Sequence, residues 1–123
     1  MWPRRERSLD ALDLAKRVVE LAEDKQAADI VLLDIRPISI VADYFVIFSG
    51  GSERQLNALT RDIAETLKRE ARATPYHTEG DPASGWVLLD YSDVVVHAFS
   101  PGEREYYRLE ELWSGAVPLV RIQ

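Results

Sequence analysis

The run Asp43-Tyr44-Phe45-Val46-Ile47-Phe48-Ser49, followed at once by Gly50-Gly51-Ser52, constrains this chain more than any other segment. It is apolar nearly throughout, so as a strand it has no side to offer water. Such a run suits a strand buried on both faces or at the centre of a sheet. Gly50-Gly51 ends the strand, and a helix is predicted to open at Ser52. Ser52 and Gln55 fit a capping box, in which each side chain satisfies the other residue's backbone N–H. Leu56, Leu59, Ile63 and Leu67 then mark one face of a helix running to about Ala71.

The remaining elements arrange themselves around that strand. Ala11, Leu12, Ala15, Val18, Val19 and Ala22 recur at helical spacing, predicting a helix from Ser8 to Asp24 with Ser8 or Asp10 as its cap. Asp29 to Arg36 is rich in Ile, Val and Leu and reads as a strand that Pro37 ends. Tyr76 to Glu79 reads as a short strand. Gly80-Asp81-Pro82-Ala83-Ser84-Gly85 is loop chemistry. Trp86–Asp90 and Asp93–Phe99 read as a hairpin around Tyr91-Ser92, a turn that lacks the preferred glycine. Glu103 to Trp113 reads as a short helix with Leu109, Leu112 and Trp113 docking it. An extended tail carrying Val117, Leu119 and Val120 follows.

The predicted order is α-β-β-α-β-β-β-α. This is an α+β domain with a mixed five-stranded sheet and helices mainly on one face. Its boundaries are a flexible segment over 1–7, a domain over 8–113 and a tail over 114–123. At 123 residues, one domain is expected, long enough to bury roughly two-thirds of its unfolded surface.

Composition removes several chemistries. There is no cysteine, hence no disulfide, thiolate metal site or cysteine nucleophile. Only His77 and His97 are available as imidazole ligands, which disfavours a multi-histidine metal site. The chain carries 15 basic and 21 acidic residues, a net charge of −6, which favours basic proteins over phosphate backbones as partners. No direct DNA binding is expected. No segment approaches the ~20 apolar residues of a membrane helix. The basic start, with Arg4, Arg5 and Arg7, leads into an amphipathic segment rather than an apolar signal core, so a cytoplasmic protein is expected. Those arginines leave room for a minor contact with RNA.

Two places could carry function. Gly50-Gly51-Ser52 sits between a strand and a helix, where nucleotidyltransferases use a Gly-Ser to approach a phosphate. Those enzymes also need paired carboxylates to hold a divalent cation. No Asp-x-Asp lies in the following strand, and a turn with a helix cap explains the motif as well. Asp43 could serve as a base or cap a turn. His97 has no Ser or Asp partner at a recognisable triad spacing.

The hairpin is the second place. With Tyr91-Ser92 as the turn, Asp90 faces Asp93, Leu88 faces Val95 and Trp86 faces His97. Alternation then puts Val87, Leu89, Val94, Val96 and Ala98 on one side as the core, and Trp86, Leu88, Asp90, Val95, His97 and Phe99 on the other. Two like charges directly opposed are unfavourable. The mixed side has the makeup of a protein-binding patch, unless another element covers it.

These blocks, taken together, resemble a known family. Asp43-Tyr44-Phe45-Val46-Ile47 with Ser49-Gly50, Arg54-Gln55, Glu79-Gly80, Trp86-Val87-Leu88-Leu89-Asp90-Tyr91, Asp93-Val94-Val95-Val96-His97, and Glu105-Tyr106-Tyr107 with Leu109-Glu110 and Leu112-Trp113 look like the ribosomal silencing factor, or Iojap, family. The resemblance spans the first helix to Trp113. It implies a fold similar to nucleotidyltransferases without their metal carboxylates, and a function without catalysis or cofactor. Members of such a family bind large-subunit ribosomal protein fourteen where the small subunit would dock. They block subunit joining and reduce translation when nutrients are scarce. Homodimers also occur in the family. Trp86, Leu88, Asp90 and Tyr91 are the contact residues the resemblance implies. Asp93, Val95 and His97 are added from strand geometry. The alternative is a metal-dependent enzyme on the same scaffold, using Gly50-Gly51-Ser52.

Overall fold

The computed structural model describes residues 10–123. The segment 1–7, the Ser8 cap and the docking of the Leu112 side chain lie outside the described residues. The elements run α1 (Ala11–Asp24), β1 (Ala28–Asp34), β2 (Tyr44–Ser49), α2 (Glu53–Ala71), β3 (His77–Asp81), β4 (Trp86–Asp90), β5 (Val94–Phe99), α3 (Pro101–Tyr107), α4 (Leu109–Leu112) and β6 (Val117–Ile122). A 3₁₀ turn at Pro82–Ser84 joins β3 to β4.

One sheet has the order β3-β4-β5-β2-β1-β6. Among the described residues there are six strands rather than five, because the predicted tail is an edge strand: β6 pairs antiparallel with β1. The sheet is mixed, with β2 and β5 parallel and every other pair antiparallel. All six residues of β2 are buried, as a central strand requires.

Both long helices start on side-chain caps. The Asp10 carboxylate accepts the Asp13 N–H at 2.8 Å. Ser52 Oγ accepts the Gln55 N–H at 3.0 Å. The return half of the expected capping box falls one residue earlier. Gln55 Oε1 accepts from Gly51 N–H at 2.7 Å, while its Nε2 donates to the Gln26 carbonyl. The reciprocal bond therefore closes on the Gly51 amide rather than on that of Ser52. The helix predicted over 103–113 is two short helices, α3 and α4, broken where Arg108 takes a left-handed backbone with φ 48°.

The helices α1 and α2 cover one face. Val18, Ala22, Leu56, Leu59, Ile63 and Leu67 pack there on Leu32, Val46, Phe48, Val87, Leu89, Val94, Val96 and Ala98. The five hairpin residues predicted for the core are all in this cluster. On the opposite face a smaller cluster of Val31, Leu33, Ile35, Phe45, Ile47 and Phe99 is covered by Leu109 and, partly, by Trp113. Among the described residues no helix is long and apolar enough to cross a membrane.

Candidate functional site

The β4–β5 register differs from the one the sequence suggests. Trp86 opposes Phe99, Leu88 opposes His97 and Asp90 opposes Val95. Asp90 and Asp93 are therefore not cross-strand partners. The turn is centred on Ser92, one residue later than predicted: the Tyr91 N–H donates to the Val94 carbonyl, and Ser92 takes a φ of 76°. Ser92 tolerates this conformation because the Asp90 carboxylate accepts its N–H at 2.7 Å, a local bond typical of Asp near turns. The Asp93 carbonyl accepts from both Asp43 and Tyr44, fastening the turn to the start of β2. The register slides by two residues. An even shift leaves every side chain on its face, so the division of the hairpin into two sides survives.

The mixed side is half covered. Over β1 and β2, Trp113 stands edge-on to Phe45 with ring centroids 5.1 Å apart. Over β3, β4 and β5 the cover thins out, and Trp86, Leu88, Asp90 and Val95 remain partly exposed. The β3 register adds His77 opposite Asp90 and Glu79 opposite Leu88 to the same face. The result is an apolar strip, Trp86-Leu88-Val95, edged by the carboxylates of Glu79 and Asp90, with exposed Asp93 at the adjoining turn.

Two of the predicted site residues occupy other roles. Tyr91 follows Leu89 in the alternation, so its ring joins the core under the helices and is not offered on the mixed face. Burial pushes its hydroxyl up to about 12. His97 is on the mixed face but buried, with its ring edge-on to Phe45 at 4.7 Å. Its Nδ1 accepts the Trp86 indole N–H at 3.3 Å, which sets the orientation of the tryptophan. Burial pushes the imidazole down to about 4, so the ring is neutral and Nδ1 is free to accept. His97 is a support for the patch rather than its surface.

Sequence reasoning missed the part that α3 contributes. Tyr107 lies over Trp86 with ring centroids 4.5 Å apart, and Trp86 also packs on Phe99 at 4.9 Å. The aromatic density of Glu105-Tyr106-Tyr107 was the available signal; its target was not readable. Arg104 seats this helix. Its guanidinium donates to Ser49 Oγ at 2.9 Å and to the Asp29 carbonyl at 2.8 Å. Asp29 sits in a β-bulge with φ 50°, and that irregularity is where its carbonyl meets Arg104.

The glycine junction is built differently. Ser52 Oγ and Gln55 Oε1 take up backbone N–H groups at the start of α2, as a helix cap does. The Asp81 carboxylate nearby accepts the Ser84 N–H at 2.9 Å and shapes the 3₁₀ turn. Among the described residues no three His, Asp or Glu side chains converge as a metal cluster would.

Comparison with known proteins matches residues 8–123 to the family model described as ribosomal silencing factor during starvation. A ribosomal silencing factor from Bacillus subtilis is 42% identical over 103 residues, covering 84% of this chain and 86% of the relative. A mouse protein named mitochondrial assembly of ribosomal large subunit protein 1 is 36% identical over 99 residues, covering 79% of this chain and 43% of its own length. A crystal structure of a Chromobacterium violaceum protein superposes with a TM-score of 0.81 at 32% identity, covering 94% of this chain and 95% of that one. By the matched length, the level of identity and the shared fold, this chain belongs to the ribosomal silencing factor family.

Proposed function

We propose that this protein docks on the large ribosomal subunit through its protein fourteen and sterically blocks joining of the small subunit, lowering translation in the cytoplasm when nutrients are limiting. It acts by occupancy and not by catalysis. The observation that carries this reading, beside family membership, is the uncovered half of the mixed face. Trp86, Leu88 and Val95 form an apolar strip on a rigid sheet, and Glu79, Asp90 and Asp93 edge it with negative charge. An aromatic anchor within a polar rim is the composition of an energetic hot spot. The acidic rim suits a basic ribosomal protein and would speed encounter with it. The mouse relative is named for assembly of the large ribosomal subunit, which supports that subunit as the platform.

A light-scattering assay of subunit association tests the proposal. Preincubating large subunits with this protein is expected to lower the yield of joined ribosomes in proportion to occupancy. Unchanged joining at saturating protein overturns it.

A further inference from the structure

At the β3 end of the uncovered strip lies a pocket of about 260 Å³, walled by Trp86, Leu88 and Tyr107 and closed by the carboxyl-bearing side chains of Glu79 and Glu103. Its construction is specific. Glu103 comes close to β4 only because residue 85 is glycine: a Cβ there would stand 2.7 Å from Glu103 Cγ and from Ser100 Oγ. Gly85 also has a φ of 84°, and its carbonyl accepts the Ser100 N–H at 2.8 Å, anchoring the start of α3 beside the pocket. On the opposite wall the Glu79 carboxylate is held by His77 Nε2 at 2.6 Å. Tyr107 is held over Trp86 by the helix that Arg104 clips to Ser49 and Asp29.

We infer that this pocket receives the side chain of an arginine from the protein partner. The inference rests on the docking reading above and specifies the chemistry at one end of that surface. The volume is below the roughly 300–1,000 Å³ of a small-molecule or cofactor site and suits one long side chain. A planar guanidinium stacks on aromatic faces, here those of Trp86 and Tyr107. Its fork of N–H donors matches carboxylates, here those of Glu79 and Glu103. The pocket is lined by no basic side chain, so an anion has no counter-charge there.

The test uses the full chain and N-acetyl-arginine methylamide as the probe, with the corresponding citrulline and lysine derivatives as comparisons. Citrulline keeps the planar shape and removes the charge. The readout is nuclear magnetic resonance of the Trp86 indole N–H, assigned with Trp86→Phe, and of the Gly80 and Glu103 backbone amides. The arginine probe is expected to shift these signals saturably, the citrulline probe not to shift them, and the lysine probe to bind more weakly. In Glu79→Gln/Glu103→Gln the probe's affinity is expected to fall at least about fivefold, and large-subunit co-sedimentation of the same variant to weaken by a similar factor. Equal shifts with arginine and citrulline, shifts elsewhere on the surface, lysine binding as tightly as arginine, or a double variant that binds probe or subunits as the parent does would each overturn the inference. The docking reading is judged separately, by whether the parent protein binds large subunits at all.

Discussion

The two faces of the sheet share the same strands and differ in how they are finished. On the helix side, Val87, Leu89, Val94, Val96 and Ala98 are uniformly aliphatic and lie under two long amphipathic helices. On the other side, large aromatics stand beside carboxylates, and the cover is a pair of short helices reaching only part of the way. A uniform aliphatic layer maximises burial per residue. A mixed layer leaves surface that is apolar enough to gain from desolvation and polar enough to stay hydrated until a partner arrives. We propose that stability rests on one face and recognition on the other, a division that can be broken experimentally.

The largest effect belongs to the helix side. Val96 on β5 is fully buried under the helices, and Val96→Asp places a carboxylate in a cluster of predominantly aliphatic side chains. The cost of such a burial is several kcal/mol, enough to unfold a domain of this size. Circular dichroism is expected to show loss of the cooperative thermal transition. Trp86→Ala, on the neighbouring strand β4 but on the mixed face, is expected to keep that transition while lowering large-subunit affinity by at least ~2 kcal/mol. It will still melt earlier than the parent, because Trp86 packs on Phe99 and Tyr107 and bonds His97. Equal damage to folding from the two substitutions would erase the distinction between the faces.

His97 provides an intermediate test through pH. Its imidazole is held neutral by burial and titrates at about 4, against 6.5 for the free group. Below 6.5 the unfolded chain therefore binds a proton that the native protein refuses. The stability associated with neutral His97 is complete above pH 6.5 and is lost progressively as the pH falls toward 4. The loss is on the order of 2–3 kcal/mol over that window. Denaturant titrations between pH 7 and 4 are expected to show this slope in the parent and a flatter one in His97→Gln. An identical slope in both proteins would mean that the imidazole is not sealed beneath the mixed face.

The smallest effect concerns the acidic edge. Asp90 and Asp93 do not oppose each other, so replacing both with Asn relieves no cross-strand repulsion and brings no gain in stability. Asn at position 90 retains an oxygen for the Ser92 N–H, and melting is expected to stay within about half a kcal/mol of the parent. Association with large subunits is expected to slow a few-fold and to depend less steeply on salt, since steering by exposed charge is screened within a Debye length. Stopped-flow association at two ionic strengths measures this. Parental rates at both would place the acidic edge away from the partner.

Local patterning was legible in the residues. The alternation in Trp86–Asp90 and Val94–Phe99 assigned each side chain to its face without any knowledge of register, because alternation has a period of two and the register error was also two. The all-apolar β2 announced its central place for a similar reason: its burial is a property of its own sequence. The same holds for the two long helices, whose apolar stripes and capping residues lie within a few turns of each other.

What the tertiary structure alone decided depends on residues far apart in the chain. The tail from Val117 became a strand because β1 had an unpaired edge, and a free edge is visible only once the sheet is assembled. The turn settled on Ser92 because Asp90 could accept its amide and Asp93 could receive β2, two contacts that turn propensity does not encode. Tyr91 lost its predicted place at the surface because that one-residue change in the turn kept it in step with Leu89, under the helices. The pocket brings Glu79, Trp86, Glu103 and Tyr107 together through a strand register, a glycine with no Cβ and an arginine clip. Short-range periodicity is written in neighbouring residues and can be read from them; the meeting of distant side chains is a consequence of packing, and only the folded chain displays it.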